Sequence, residues 1–280
     1  MSLPITPSLV EDVATGLAGD GWRYTQRQLY YATCARAETP RSNAAANGEI
    51  GLGVLFALVG LILIAFKVLF ALFLTLGVAL ILAGALARSR RPPVTTRVLA
   101  LSFDEFHARF GEMRPPGLID PDAPVTAGPS APATVVVCDT GETAAMVAAN
   151  LERAEIADAA VLTAAEPVKA PPGGLVIALH DASPRGCAIV LDLRDSGIVV
   201  EDAGIRPEDV DGPEHQVLEG APARLPRDLS PLLRAQEIDW LLSGRRVELA
   251  TLTPEAAMRR VVAAISRLDP LRGDAPQPAR

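Results

Sequence analysis

The chain has 280 residues, 49% of them hydrophobic but only 4% aromatic, with a formal net charge of −7. A mean hydropathy of +0.26 is high for a chain with no apolar segment set apart from the rest, and the low aromatic content predicts a core of small aliphatic side chains. The charge is uneven: the first hundred residues hold nine Lys/Arg against five Asp/Glu, and the remainder seventeen against twenty-eight. That acidic remainder argues against a sequence-independent grip on nucleic acid, which needs clustered cations to displace counterions from phosphates. Cys34, Cys138 and Cys187 lie far apart with no metal-ligand spacing, and are read as buried, reduced thiols of a cytoplasmic compartment.

In chain order, residues 1–49 are expected to form a small helical unit resembling a helix-turn-helix. Leu9, Val10, Val13 and Leu17 are spaced for one helix, stopped by Gly19 and Gly21. Thr25 followed by Gln28 makes a capping box that opens a second helix, TQRQLYYATCARAE.

From Gly51 to Ala87 the chain is apolar apart from Lys67 and Thr75. As one helix this run would be about 55 Å long, well beyond a hydrocarbon core of roughly 30 Å. Two passes, 51–66 and 68–87, therefore fit better, with Lys67 snorkelling at the far turn. Arg36 and Arg41 before the run and Arg88, Arg90, Arg91 and Arg97 after it place both termini in the cytoplasm. The apolar run starts too far into the chain for a cleaved signal peptide. The expectation is thus a multi-pass protein of the cell (inner) membrane, with residues 50–88 as a two-pass transmembrane helical hairpin. Its partners would be the lipid bilayer and a protein or ligand whose identity the sequence leaves open. Gly53, Gly60, Gly77 and Gly84 are small enough to let passes, or copies in a homo-oligomer, approach closely.

Residues 89–113 are expected to give a strand at Arg97–Leu101 and a short helix capped by Ser102 with Glu105. Residues 114–132, dense in proline, read as a linker. The folded domain is expected over 133–268, followed by a disordered tail over 269–280. Its elements are a buried strand at 133–138, a helix at 142–153, strands at 160–162 and 175–180, a turn at DASPRG followed by an apolar segment at 187–193, a strand at 197–200, and terminal helices at 231–242 and 254–268. Alternating strands and helices imply a mostly parallel α/β sheet covered on both faces.

In such sheets function collects at the carboxyl ends of the strands. That singles out Asp139, Thr140 and Glu142 after the first strand, and His180, Asp181 and Ser183 after the third. Converging carboxylates would suit Mg²⁺, with Asp139, Glu142 and Asp181 as its ligands. Short polar side chains at these positions equally well cap turns and helices. His180 is placed for a general base, but no serine or cysteine partner accompanies it. No glycine-rich dinucleotide or Walker-type phosphate loop is present.

LHDASPRG resembles the strand-loop DxDPxG element of Toprim domains, and GIRPEDV is similar to the segment that follows it in the A subunit of topoisomerase VI. TQRQLYYATCAR resembles that family's tyrosine-bearing helix, and DWLLSGRRVELATLTPEAAMRR its closing region. The resemblance is discontinuous and covers about half the chain. It implies a Toprim-like α/β domain, Tyr30 or Tyr31 as the nucleophile towards DNA phosphate, and Asp181 as the first carboxylate of a Mg²⁺ pair. Two positions depart from the pattern: Ser183 stands where the second Asp of DxD belongs, and Asp139 where the family places Glu. With one matching carboxylate, the expected role is a non-catalytic domain that binds a ligand or partner. The alternative is a membrane-held, Mg²⁺-dependent nuclease or topoisomerase-like enzyme.

Overall fold

A computed structural model describes residues 4–38, 75, 78–79, 82, 99–120, 129, 131–211 and 215–268. The chain divides into two compact units, Met1–Glu38 with Arg97–Arg280, and Thr39–Thr96.

The first unit is built on a four-stranded parallel sheet of order β2-β1-β3-β4, comprising β1 (Thr134–Cys138), β2 (Ala159–Thr163), β3 (Leu175–Leu179) and β4 (Val200–Asp202). The two central strands, β1 and β3, are almost uninterrupted aliphatic runs, as a sheet covered on both faces requires. Alternate residues then divide between two cores. Val136, Cys138, Ile177 and Leu179 pack on one face against helices α4 (Gly141–Asn150) and α7 (Pro254–Leu268), which contribute Met146, Val147, Met258 and Val261. Val135, Val137, Val176 and Ala178 pack on the other against Ile189, Val190 and Leu193 of α5 (Pro184–Asp195). The outer side of α5 carries Cys187 and Leu191 into a further cluster with Leu229, Leu233 and Leu241, the last from α6 (Ala235–Leu242). A two-stranded antiparallel ribbon, β5 (Leu218–Glu219) with β6 (Arg245–Arg246), flanks this layer.

The N-terminal helices belong to the same unit. α1 (Pro7–Leu17) is capped by Thr6, and α2 (Gln26–Ala37) opens with the Thr25/Gln28 capping box. α3 (Phe103–Phe110) opens with a second box from Ser102 and Glu105. Together they enclose Val10, Leu29, Tyr30, Tyr31, Phe106 and Phe110 in a second core, which Leu218 of β5 also enters. They are tied to the sheet domain by polar bonds from main chain and side chain. Asn150 of α4 accepts from the Arg23 amide and donates to the Arg23 carbonyl, at 2.9 and 2.7 Å, and the Gln28 amide nitrogen donates to the Leu252 carbonyl at 3.1 Å. Part of the expected linker is also structural: Leu118 bridges Tyr24, and Ile119 is buried in the main core.

The expected fold class is corrected in its membrane part. Among the described residues no helix is long and apolar enough to cross a membrane, so the two-pass transmembrane hairpin and the multi-pass inner-membrane location drawn from it are not met. Hydropathy registers the apolar content of a run, not the continuity of a helix within it. The expected passes lie outside the described residues apart from Thr75, Val78, Ala79 and Leu82, which are helical, with Val78 and Leu82 exposed. Two smaller expectations also change. The described part of the expected strand at Arg97–Leu101, residues 99–101, is not a strand, and the turn read at DASPRG is the start of α5, with Ser183 as N-cap and Pro184 in its first turn.

Candidate functional site

Because β1 and β3 are neighbours, their carboxyl ends deliver Asp139 and Asp181 to one edge of the sheet. The two are in direct contact: the Asp181 amide donates to Asp139 Oδ2 at 2.8 Å, and the Thr143 hydroxyl donates to Asp139 Oδ1 at 3.1 Å. Thr140 caps α4 by accepting from the Thr143 amide. Asp181 in turn accepts through Oδ1 from the Leu249 amide, which fastens the segment after β6 to this edge. Burial, followed by the negative charge of Asp139, pushes the Asp181 carboxyl up to about 8. Its surroundings therefore favour the protonated form.

Above these acids lies a cavity of about 290 Å³, walled by Thr25, Arg27 and Gln28 of the N-terminal helices, Thr140, Glu142 and Met146 around α4, and Asp181, Glu248 and Leu249 opposite. Glu142 points away from Asp139 in its pairing: its Oε2 accepts from Arg27 Nε at 3.0 Å. Arg27 also lies 3.6 Å from Glu248. Among the described residues no group of three or more His, Cys, Asp or Glu side chains converges as a metal site would need. Of the three expected Mg²⁺ ligands, the structure thus joins Asp139 to Asp181 and sets Glu142 against an arginine.

His180 faces the other way, under β4. It is fully buried, its Nδ1 donating to the Asp181 carbonyl at 2.8 Å and its Nε2 to Asp202 Oδ1 at 3.1 Å. Burial alone would lower its pKa, but the bond and charge of Asp202 and the Asp181 carbonyl hold it above the ordinary value. With an acceptor on each nitrogen the ring is an imidazolium with no lone pair to offer, so the general-base reading fails. Asp202 is desolvated too, yet His180 and Arg206, whose Nε lies 2.8 Å away, hold its carboxyl far below the usual range.

Tyr30 and Tyr31 are not at the sheet edge as free phenols. They are 2% and 3% exposed. The Tyr30 hydroxyl donates to the Leu101 carbonyl at 2.8 Å, and its ring packs edge-on against Phe103 and Phe106. Burial, and then Cys34, raises the Tyr30 pKa, while burial and Glu248 raise that of Tyr31. A nucleophilic tyrosine needs access and a lowered pKa, and both residues are shifted in the opposite sense.

Arg27, Glu248 and Asp202 were not singled out by the sequence. Each takes part in a pair with a residue distant in the chain, Arg27 with Glu142 and Glu248, and Asp202 with His180, although Asp202 also meets Arg206 four residues on. The fold and cleft together define a parallel α/β domain with a ligand-sized, acid-rich cavity at its carboxyl edge, closed on one side by an N-terminal helix. No family model matches the chain, and comparison with curated proteins and with solved structures gives no match either.

Proposed function

We propose that this chain is a non-catalytic binding module that takes a small polar ligand in the cavity between α2, α4 and the Asp181 loop. The observation that carries this reading is the commitment of the edge acids to the protein itself. Both Asp139 oxygens and one Asp181 oxygen accept hydrogen bonds from Thr143, Asp181 and Leu249. Phosphoryl transfer needs metal ions firmly held by charged ligands, whereas burial beside Asp139 favours the protonated form of Asp181 and Glu142 is paired with Arg27. Kinship with Toprim domains is part of the same proposal. It is supported by the adjacency of the first and third strands, which places Asp139 beside Asp181, and it leaves Ser183 as a helix cap whose hydroxyl accepts from the Gly186 amide at 3.0 Å.

The full chain is the object to test, because a fragment beginning at residue 131 would lose Thr25, Arg27 and Gln28 from the cavity. Incubation with supercoiled plasmid and Mg²⁺ is expected to leave the plasmid intact. A thermal-shift survey of small amines, carboxylates and sugars is expected to find one class that stabilises the parent but not Glu248→Gln. Nicking that disappears in Asp181→Ala would overturn the proposal in favour of a Mg²⁺-dependent nuclease.

A further inference from the structure

Among the residues that line the cavity, Arg27 is the one cation, set among Glu142, Glu248 and Asp181. Its guanidinium joins three elements. Nε reaches Glu142 of α4 at 3.0 Å, Nη1 lies 3.6 Å from Glu248 in the segment after β6, and the plane sits over the Phe103 ring of α3, 4.4 Å from its centroid. Glu248 is further held by Arg246 at 3.3 Å. Isolated surface ion pairs contribute little, but this guanidinium is stacked on an aromatic face and forked between two acids, so it pins α2 across the mouth of the cavity. Other polar ties at this wall, the Gln28 amide to the Leu252 carbonyl and the Tyr31 hydroxyl to Glu248, use uncharged donors.

We propose that Arg27 is a latch: it draws Glu142 and Glu248 together under α2, and losing its charge lets the two carboxylates repel each other and the cavity open. The proposal rests on the cavity being the working site, and it adds that entry is governed by an internal cation which salt or a competing cationic group can displace. Because the Leu249 amide hangs on Asp181 directly behind Glu248, opening exposes that amide to solvent.

Hydrogen exchange of the full chain, read by mass spectrometry without any ligand, tests the latch independently of ligand binding. A failure here leaves the binding proposal standing, and a failure of the ligand survey leaves the latch standing. In Arg27→Ala, segments 179–183 and 245–252 are expected to exchange about tenfold faster, with β1 unchanged. Adding Glu248→Gln, which removes one of the two repelling charges, is expected to restore most of the protection. In the unaltered chain, molar sodium chloride is expected to accelerate the same two segments by screening the partly exposed pairs. That arm needs no variant to fold. Unchanged exchange in both Arg27→Ala and high salt would overturn the latch. So would equal acceleration in β1, which would make Arg27 an ordinary contributor to global stability.

Discussion

Asp181 and Asp202 stand at the carboxyl ends of neighbouring strands, both largely desolvated, and their carboxyl pKa values are pushed in opposite directions. Asp202 has a cation on each side, His180 at 3.1 Å and Arg206 at 2.8 Å, together with the Gly204 amide at 2.9 Å. Asp181 has one backbone amide and a second aspartate. Burial penalises both anions alike, so the difference lies in whether a cation comes within hydrogen-bond reach. The β4 edge is thus a finished structural ion cluster, while the β1/β3 edge retains unspent electrostatic strain beside a cavity. That contrast is why the cavity, and not the His180 cluster, is the functional candidate.

The largest effect should come from breaking the finished cluster. Asp202→Ala leaves a buried imidazolium and Arg206 without their acceptor, and is expected to cost about 3–5 kcal/mol in urea unfolding. Gly204→Ala should follow. A Cβ there would fall inside the van der Waals envelope of the His180 ring, and the strain is expected to cost about 1–3 kcal/mol by the same measurement.

The pH dependence sharpens the comparison because the two aspartates carry opposite signs. The folded pKa of Asp181 is raised from 3.8 to about 8, so its stabilising proton is fully bound below the ordinary carboxylate value and is lost as pH rises towards 8. Asp202 is lowered, so its contribution is present above 3.8 and lost on acidification. His180 is raised above 6.5, so its contribution is complete below that pH and declines on alkalinisation. Asp181→Asn, which preserves the acceptor for Leu249, should match the parent near pH 3, below the ordinary carboxylate value, and exceed it by at least about 1 kcal/mol near pH 8. A parent whose stability is flat across that interval would erase the distinction between the two edges.

The smallest expected change is in Tyr30→Phe. Losing the bond to the Leu101 carbonyl should cost about 1 kcal/mol in thermal unfolding. A tyrosine acting as a nucleophile would instead show itself by loss of plasmid cleavage.

What the sequence made legible was local. The capping boxes at Thr25/Gln28 and Ser102/Glu105 are decided within four residues, and both form. The runs at β1 and β3 are too apolar to be anything but buried, and strand adjacency then brings Asp139 to Asp181. The α5 start was missed although Ser183-Pro184 carries its signal, because Pro184 and Gly186 equally suit a turn. What stayed out of reach depends on chain-distant partners. Nothing near Arg27 points to Glu142 and Glu248, and nothing near Tyr31 shows that Glu248 will face its hydroxyl. The membrane expectation is not met among the described residues, where no helix is long and apolar enough to cross a membrane.

The account turns on Asp181 being a proton-holding wall of the cavity and not a metal ligand. The direct measurement is a pH titration of its side-chain carboxyl by carbon-13 NMR in the full chain, with and without millimolar Mg²⁺. A midpoint near 8, unmoved by Mg²⁺, is the predicted result. A midpoint in the ordinary carboxylate range, or one that falls sharply when Mg²⁺ is added, would contradict it and return the sheet edge to metal chemistry.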